Sequence, residues 1–329
     1  MPSLAKQLRY RIEWLAITFM AWLIPLLPHR VMLAMANGLG KLAYLLDRRG
    51  RETALENVRC VSTEGTLPCT DPEQLVKKSY QYFARSMCEL FWATRLNEEN
   101  YSEIIQLDIE DREAYNQAVK EGGIWVTPHY GNFEWISLMM GYRNHPFTLV
   151  AQDFKNQLLT EVFSRQRQLS GHKVISSRRA MVRLLKVLRS GKHAAFLTDL
   201  NVQPDNAATP IRCFSFLTCV TGLHAFLHQR TGAKVIPGIA LPCSDGTYLM
   251  KMFPPVDIPP DCSTAEITQK CWDVFEPHIR DFPEPWLWMY KHWRYLPEKK
   301  AANYPDYSRR SEKFDLLLKQ PKKKDNPNQ

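Results

Sequence analysis

The chain has 329 residues, enough to bury one large core or two modest ones. Apolar residues make up 45% and charged residues 23%, which places it in the globular range and excludes a chain disordered throughout. The formal charge of +9 asks for an anionic partner: nucleic acid, a phospholipid surface or a phosphorylated substrate.

The amino end carries Lys6, Arg9 and Arg11, then the apolar run Trp14–Leu27, closed by Pro28-His29-Arg30. Bulky Leu26, Leu27 and Pro28 stand where a signal peptide would need small residues for cleavage. The run falls short of the roughly 20 apolar residues of a spanning helix, but Val31–Leu46 continues it. Its tryptophans suit an interface. The expectation is an uncleaved membrane anchor over residues 1–46, dipping into the bilayer or spanning it at a tilt; a buried amphipathic core helix is the alternative. Gly38 and Gly40 would permit close approach of a neighbouring helix.

Asp47–Arg51 is a charged break, Thr53–Val61 reads as a helix, and Ser62–Asp71 as a loop. Glu73–Thr94 repeats apolar residues every three or four positions, so the first hundred residues are largely helical. Then the period changes. Ile124–Val126, Phe147–Ala151, Val174–Ser176, Ala194–Leu197, Lys234–Leu241 and Tyr248–Phe253 are short apolar runs. Helical stretches at Glu134–Met140, Leu158–Leu169, Ala180–Ser190 and Gly222–Thr231 separate them. Strands alternating with helices predict an α/β fold with a mixed central sheet flanked by helices over 47–302. From Asn303 to Gln329 the chain reads as a polar, basic, disordered tail. The eight cysteines form no CxxC pair and no metal-site spacing, so they read as reduced thiols. Spread-out basic residues and no recognisable module speak against nucleic acid as partner; no GxSxG elbow speaks for a serine hydrolase.

The stretch Ile124–Ser137, IWVTPHYGNFEWIS, reads as strand, tight turn and helix start. It sets His129 at a strand end, where ligands gather in α/β sheets. Glu134 follows five residues later. If the turn folds back, this carboxylate can hold one imidazole tautomer and stabilise the imidazolium, the arrangement of a general base acting on a hydroxyl. The bland alternative is a satisfied structural histidine beside an ordinary Gly-Asn turn.

TPHYGNFEW resembles the His-x4-acidic motif of glycerolipid-type acyltransferases. It is most similar to the form in the lipid A lauroyl/myristoyl acyltransferase family of Gram-negative inner membranes. The resemblance continues through Arg51 and Asn57, Glu89, Asn156, Arg165-Gln166-Arg167, Arg178-Arg179, Asp199, RTGAKVIP (Arg230–Pro237) and PEPWLWMYKHW (Pro283–Trp293). It implies an O-acyltransferase at the cytoplasmic face of the inner membrane. The acyl chain would come from an acyl carrier protein thioester or acyl-CoA and pass to a hydroxyl of a phosphorylated lipid A precursor, with membrane lipid as surroundings. His129 would be the base and Glu134 its orienting partner. No metal or organic cofactor is expected. Backbone N–H groups near Gly131 and Asn132, or an arginine, would stabilise the oxyanion. Arg165 or Arg167 would grip the acceptor's phosphates, and Asp199 would orient a basic residue or line the pocket. The sequence departs from the family at Leu200-Asn201, Cys213-Phe214-Ser215, Asp153 and Lys155, and His292, all in the expected substrate region. Another glycolipid, lysophospholipid or aminolipid acceptor therefore stays open, and so does a catalytically silent membrane scaffold.

Overall fold

The computed structural model describes residues 4–151, 154–176, 180–205, 207–299 and 302–319. Four helices come first: α1 (Leu4–Leu23), α2 (His29–Leu46), α3 (Arg48–Thr63) and α4 (Pro72–Trp92). Then β1 (Ile105–Ile109), α5 (Arg112–Glu121), β2 (Gly123–Thr127), α6 (Phe133–Tyr142), β3 (Phe147–Ala151), α7 (Gln157–Arg167), β4 (Lys173–Ser176), α8 (Ala180–Arg189) and β5 (His193–Leu197) alternate. A hairpin of β6 (Ala208–Cys213) and β7 (Phe216–Thr221) precedes α9 (Leu223–Thr231), β8 (Lys234–Pro242), β9 (Tyr248–Met252) and α10 (Thr264–Asp281). The last elements are β10 (Tyr295–Leu296), β11 (Arg309–Arg310) and α11 (Glu312–Lys319).

The sheet has seven strands in the order β1-β9-β8-β2-β5-β3-β4. The five from β8 to β4 run parallel, and β9, with β1 parallel to it, runs against them. The α/β class and the mixed sheet between helices therefore hold. Strand β2 is central and buried from Gly123 to Val126, as a strand covered on both faces must be. Its pleat sends Ile124 and Val126 into one core with α8, α9 and α10, and Trp125 into the other with α2, α4 and α6. The helices begin at residues chosen for the purpose. Asp47 caps α3, Asp71 caps α4, and Ser263 with Glu266 forms a reciprocal capping box on α10.

Two expectations need correction. No helix among the described residues is long and apolar enough to cross a membrane. Nor is α1 a core helix: it has no buried residue, and Leu4, Leu8, Ile12, Leu15, Phe19 and Trp22 are all more than half exposed. Their spacing of three and four puts them on one stripe. The second correction concerns the carboxyl end. Residues 309–319, expected in the polar tail, form β11 and α11, and Phe314 is fully buried beside Tyr295. Residues 320–329, Asp153, Arg178 and Arg179 lie outside the described residues. Of the two α2 glycines, Gly40 alone makes the close approach: a Cβ there would come within 2.5 Å of Gln81 Cα in α4, whereas Gly38 has nothing within 4 Å.

Candidate active site

β2 and β5 are neighbours, with Thr127 opposite Leu197. Two residues beyond each strand end stand His129 and Asp199, and register alone brings them together. The imidazole Nδ1 lies 2.7 Å from Asp199 Oδ1, and the His129 backbone N–H donates to Oδ2 at 3.0 Å. Trp286 Nε1 also donates to Oδ2, at 2.9 Å. Burial pushes the Asp199 carboxyl up, but the charge of His129 and the hydrogen bonds from His129 and Trp286 more than offset it, leaving it below the usual carboxylate range. An ionised carboxylate at Nδ1 fixes the proton there and leaves Nε2 as the basic nitrogen.

This overturns the expected partner of His129. Glu134 is the second residue of α6, and its carboxylate turns to Arg167 at the end of α7. Arg167 Nη2 donates to Oε1 at 2.6 Å, and Nε reaches Oε1 at 3.1 Å and Oε2 at 3.0 Å. The reason is helical. Asn132 caps α6, so the chain is already winding at Glu134 and does not fold back on the imidazole. Phe133, the first residue of α6, meets the His129 imidazole edge-on at 4.9 Å. Burial works against the Arg167 charge, but Glu134 more than compensates and holds the guanidinium above its ordinary value.

Gly131 and Asn132, expected to bind substrate, instead build the turn. Gly131 has φ +57°, and a Cβ would strike the Ala240 carbonyl, so only glycine fits. Its N–H donates to Pro285 O at 3.2 Å and its carbonyl accepts from Ser86 Oγ at 2.9 Å, which removes that amide as an oxyanion donor. Asn132 is fully buried. Its Oδ1 accepts from Trp135 N and its Nδ2 donates to Glu89 Oε2 at 2.8 Å. Glu89 also accepts from Tyr248 OH at 2.7 Å, and His29 approaches its other oxygen to 3.5 Å. Burial raises the Glu89 carboxyl despite these donors. Asn156, also buried, donates to Tyr10 O and Glu13 Oε2 and so ties α1 to the start of α7.

A cavity of about 410 Å³ opens between α6 and the sheet. His129, Glu134 and Arg167 are on its wall, and Trp125, Phe147, Leu149, Ile236 and Met252 give it an apolar lining. Its volume is that of a site for a small-molecule-sized group. Arg165 is exposed and sits apart, in a shallow depression with Glu161, Ser164, Gln168 and Leu169. The structure thus joins His129 with Asp199, and Glu134 with Arg167, and leaves Arg165 outside. Sequence reasoning missed Ser86 and Tyr248, which support the turn from α4 and β9; nothing local in the sequence marks them.

The profile of the bacterial lipid A biosynthesis acyltransferase family matches residues 2–295. The chain is also similar to the lipid A biosynthesis lauroyltransferase of Escherichia coli (strain K12), with 25% identity over 304 residues, covering 90% of this chain and 95% of the relative.

Proposed function

The chain belongs to the bacterial lipid A biosynthesis acyltransferases, and on that premise we propose that it moves a fatty acyl chain from an acyl carrier protein thioester to a hydroxyl of a lipid A precursor, with His129 as general base and Asp199 as its orienting partner. The observation that carries this reading is the His129 Nδ1–Asp199 contact of 2.7 Å on the wall of an apolar cavity. An alcohol is too weak an acid to attack a thioester unaided near neutral pH. Nε2 of His129 takes its proton as the oxygen attacks the thioester carbon. The tetrahedral intermediate then collapses, the C–S bond breaks, and the imidazolium returns the proton to the departing thiolate. Asp199 stabilises the imidazolium in between. The apolar lining takes the acyl chain, where its burial is favourable by roughly 0.8 kcal/mol per CH₂.

In this reading Arg167 supplies positive charge for the oxyanion, and Glu134 fixes where that charge sits. Arg165, on the outer face of α7, is left to meet a phosphate of the acceptor. The exposed stripe of α1, with Lys6, Arg9 and Arg11 on the same helix, lies in the plane of an anionic membrane surface as a monotopic helix does. The face turned to the cytoplasm would then receive the donor.

Purified protein given acyl carrier protein thioester or acyl-CoA, with a panel of lipid A precursors and lysophospholipids, tests the reading. The expected result is transfer to the lipid A precursor from the carrier-protein donor, lost by about 100-fold or more in His129→Ala. Wild-type turnover from His129→Ala would sink the assignment of the base. Transfer only to lysophospholipid would change the acceptor.

A further inference from the structure

The segment Pro283–Trp293 lies against the turn that carries His129. Leu287 N donates to His129 O and Gly131 N to Pro285 O, each at 3.2 Å, so the segment holds the turn's backbone on both sides of Tyr130. Between those two bonds, Trp286 sends its indole N–H to Asp199 Oδ2 at 2.9 Å. The indole cannot easily move. It is fully buried, stacked on His292 with centroids 4.0 Å apart, and meets Trp288 edge-on at 4.7 Å. Its backbone is held by helices far away in sequence. Ser79 Oγ of α4 donates to Trp286 O at 2.6 Å, and Asn57 Nδ2 of α3 donates to Trp288 O at 2.9 Å and Tyr290 O at 2.8 Å.

We propose that Trp286 is a positioning residue for acyl transfer: its indole N–H fixes one oxygen of Asp199 so that the other is aimed at His129 Nδ1. The proposal rests on the reading of His129 as base. Asp199 has two oxygens and is nearly inaccessible to water. Oδ1 is committed to the imidazole. Oδ2 takes the His129 amide and the indole, and without the indole the carboxylate loses a charge-assisted donor that water cannot replace. It is then freer to rotate away from Nδ1 and holds a proton more readily.

The indole touches Asp199, and its N–H favours the charged form of that carboxylate. Removing the donor makes Asp199 bind a proton at higher pH. The other titratable groups around Asp199 stay neutral through the working range. Burial pushes His292 down to about 4 and pushes the Cys213 thiol well up. The Tyr290 phenol is likewise raised by burial and donates to Asn201 O at 2.7 Å. A shift of the acid limb therefore reports on the dyad.

The test compares Trp286→Phe with Trp288→Phe. Trp288 belongs to the same buried cluster, but its indole donates to Pro283 O at 2.7 Å instead of to the carboxylate. Both lose an aromatic N–H from the core; one touches Asp199. The variants are assayed for kcat, both KM values, the pH dependence of kcat and Tm. Trp286→Phe is expected to lower kcat about tenfold with both KM values nearly unchanged, and to move the acid limb of kcat to higher pH. Trp288→Phe is expected to lower Tm and leave the acid limb where it is. A Trp286→Phe enzyme with a wild-type acid limb overturns the proposal, whatever its kcat, and makes Trp286 a core tryptophan only. If that variant does not fold, wild-type protein labelled at the indole nitrogens with ¹⁵N decides instead. One indole signal should move with pH in step with the acid limb and stop doing so in Asp199→Asn; no such signal overturns the proposal. An active His129→Ala enzyme would fail the reading of the base, whereas an inactive one with a null Trp286 result would fail this inference alone.

Discussion

A histidine serves as a base at a chosen nitrogen only when something holds the proton on the other one. For His129, the base of the proposed reaction, that group is Asp199, and it is ionised because His129 and Trp286 outweigh its burial. Asp199→Asn keeps the shape but can present an amide N–H to Nδ1, which favours the wrong tautomer. It should cost about two to four orders of magnitude in kcat with little change in Tm; kinetics beside a thermal melt check it, and a near-normal kcat would return the orienting role to another residue. Glu134 and Arg167 make the opposite case. Glu134→Gln leaves a guanidinium half-sunk in the protein without its partner, and such removals cost about 3–5 kcal/mol. The double variant Glu134→Leu, Arg167→Met removes both charges and should recover most of that stability while remaining inactive. Denaturant melts of the two single variants and the double complete the cycle. His129 was legible in the sequence because its motif is local. The partner was not: a five-residue spacing favoured Glu134, while Asp199, 70 residues on, becomes adjacent only once β5 is known to pair with β2.

Elements tell the same story at longer range. The six apolar runs read from the sequence fall on β2, β3, β4, β5, β8 and β9 to within one residue at each end; five of these are the parallel strands, which read as short apolar runs because helices cover the sheet. The β6–β7 hairpin and β1 were passed over. In β1 the exposed Gln106 and Asp108 break the apolar run, in β6 Pro210 and Arg212 do, and in β7 Thr218 and Thr221 dilute it. The capping box of α10 was present in the sequence as Ser263 and Glu266 and marks a helix start that was not read. Helices α1 and α2 give two predictions. Gly40→Ala should destabilise the fold by about 1–3 kcal/mol, since its Cβ meets the α4 backbone, and Gly38→Ala should be neutral or stabilising by up to about 1 kcal/mol; melts of the two variants side by side check it. In α1, replacing Ile12 and Phe19 together with Glu removes apolar area from an exposed stripe without touching the core. The variant should leave anionic vesicles in a flotation assay and lose activity on vesicle-borne acceptor, yet keep activity in detergent. A variant that still floats would make the stripe irrelevant to lipid.

Across the whole molecule, buried histidines tie the fold to pH. Burial pushes His172, His193, His224 and His292 down to about 4. Two of them are neutral for a visible reason: His172 Nδ1 accepts from Phe147 N, and His193 Nδ1 accepts from Gly123 N and the Trp125 indole. A proton on either nitrogen would turn an acceptor into a donor facing a donor. In the unfolded chain each titrates near 6.5. Between about 6.5 and 4 the unfolded state therefore binds more protons than the folded one, so stability falls as the pH falls through that window. Each such histidine contributes up to about 1.4 kcal/mol per pH unit. Glu89 opposes them, for its raised carboxyl makes the folded state the better proton binder, but it is one group against four. Asp199 adds to the loss only below the ordinary carboxylate range, because its folded value is the depressed one. Tm should consequently be flat above pH 7 and drop steeply towards pH 4.5. His172→Asn, which keeps a side-chain acceptor but cannot titrate, should lower Tm at pH 7 yet flatten the slope. A His172→Asn slope equal to that of the wild type would remove this histidine from the account. The same melts, run at every pH of a kinetic profile, separate an effect on the site from loss of the fold: an acid limb in kcat at a pH where Tm still stands well above the assay temperature belongs to the site, and one that tracks Tm belongs to the fold.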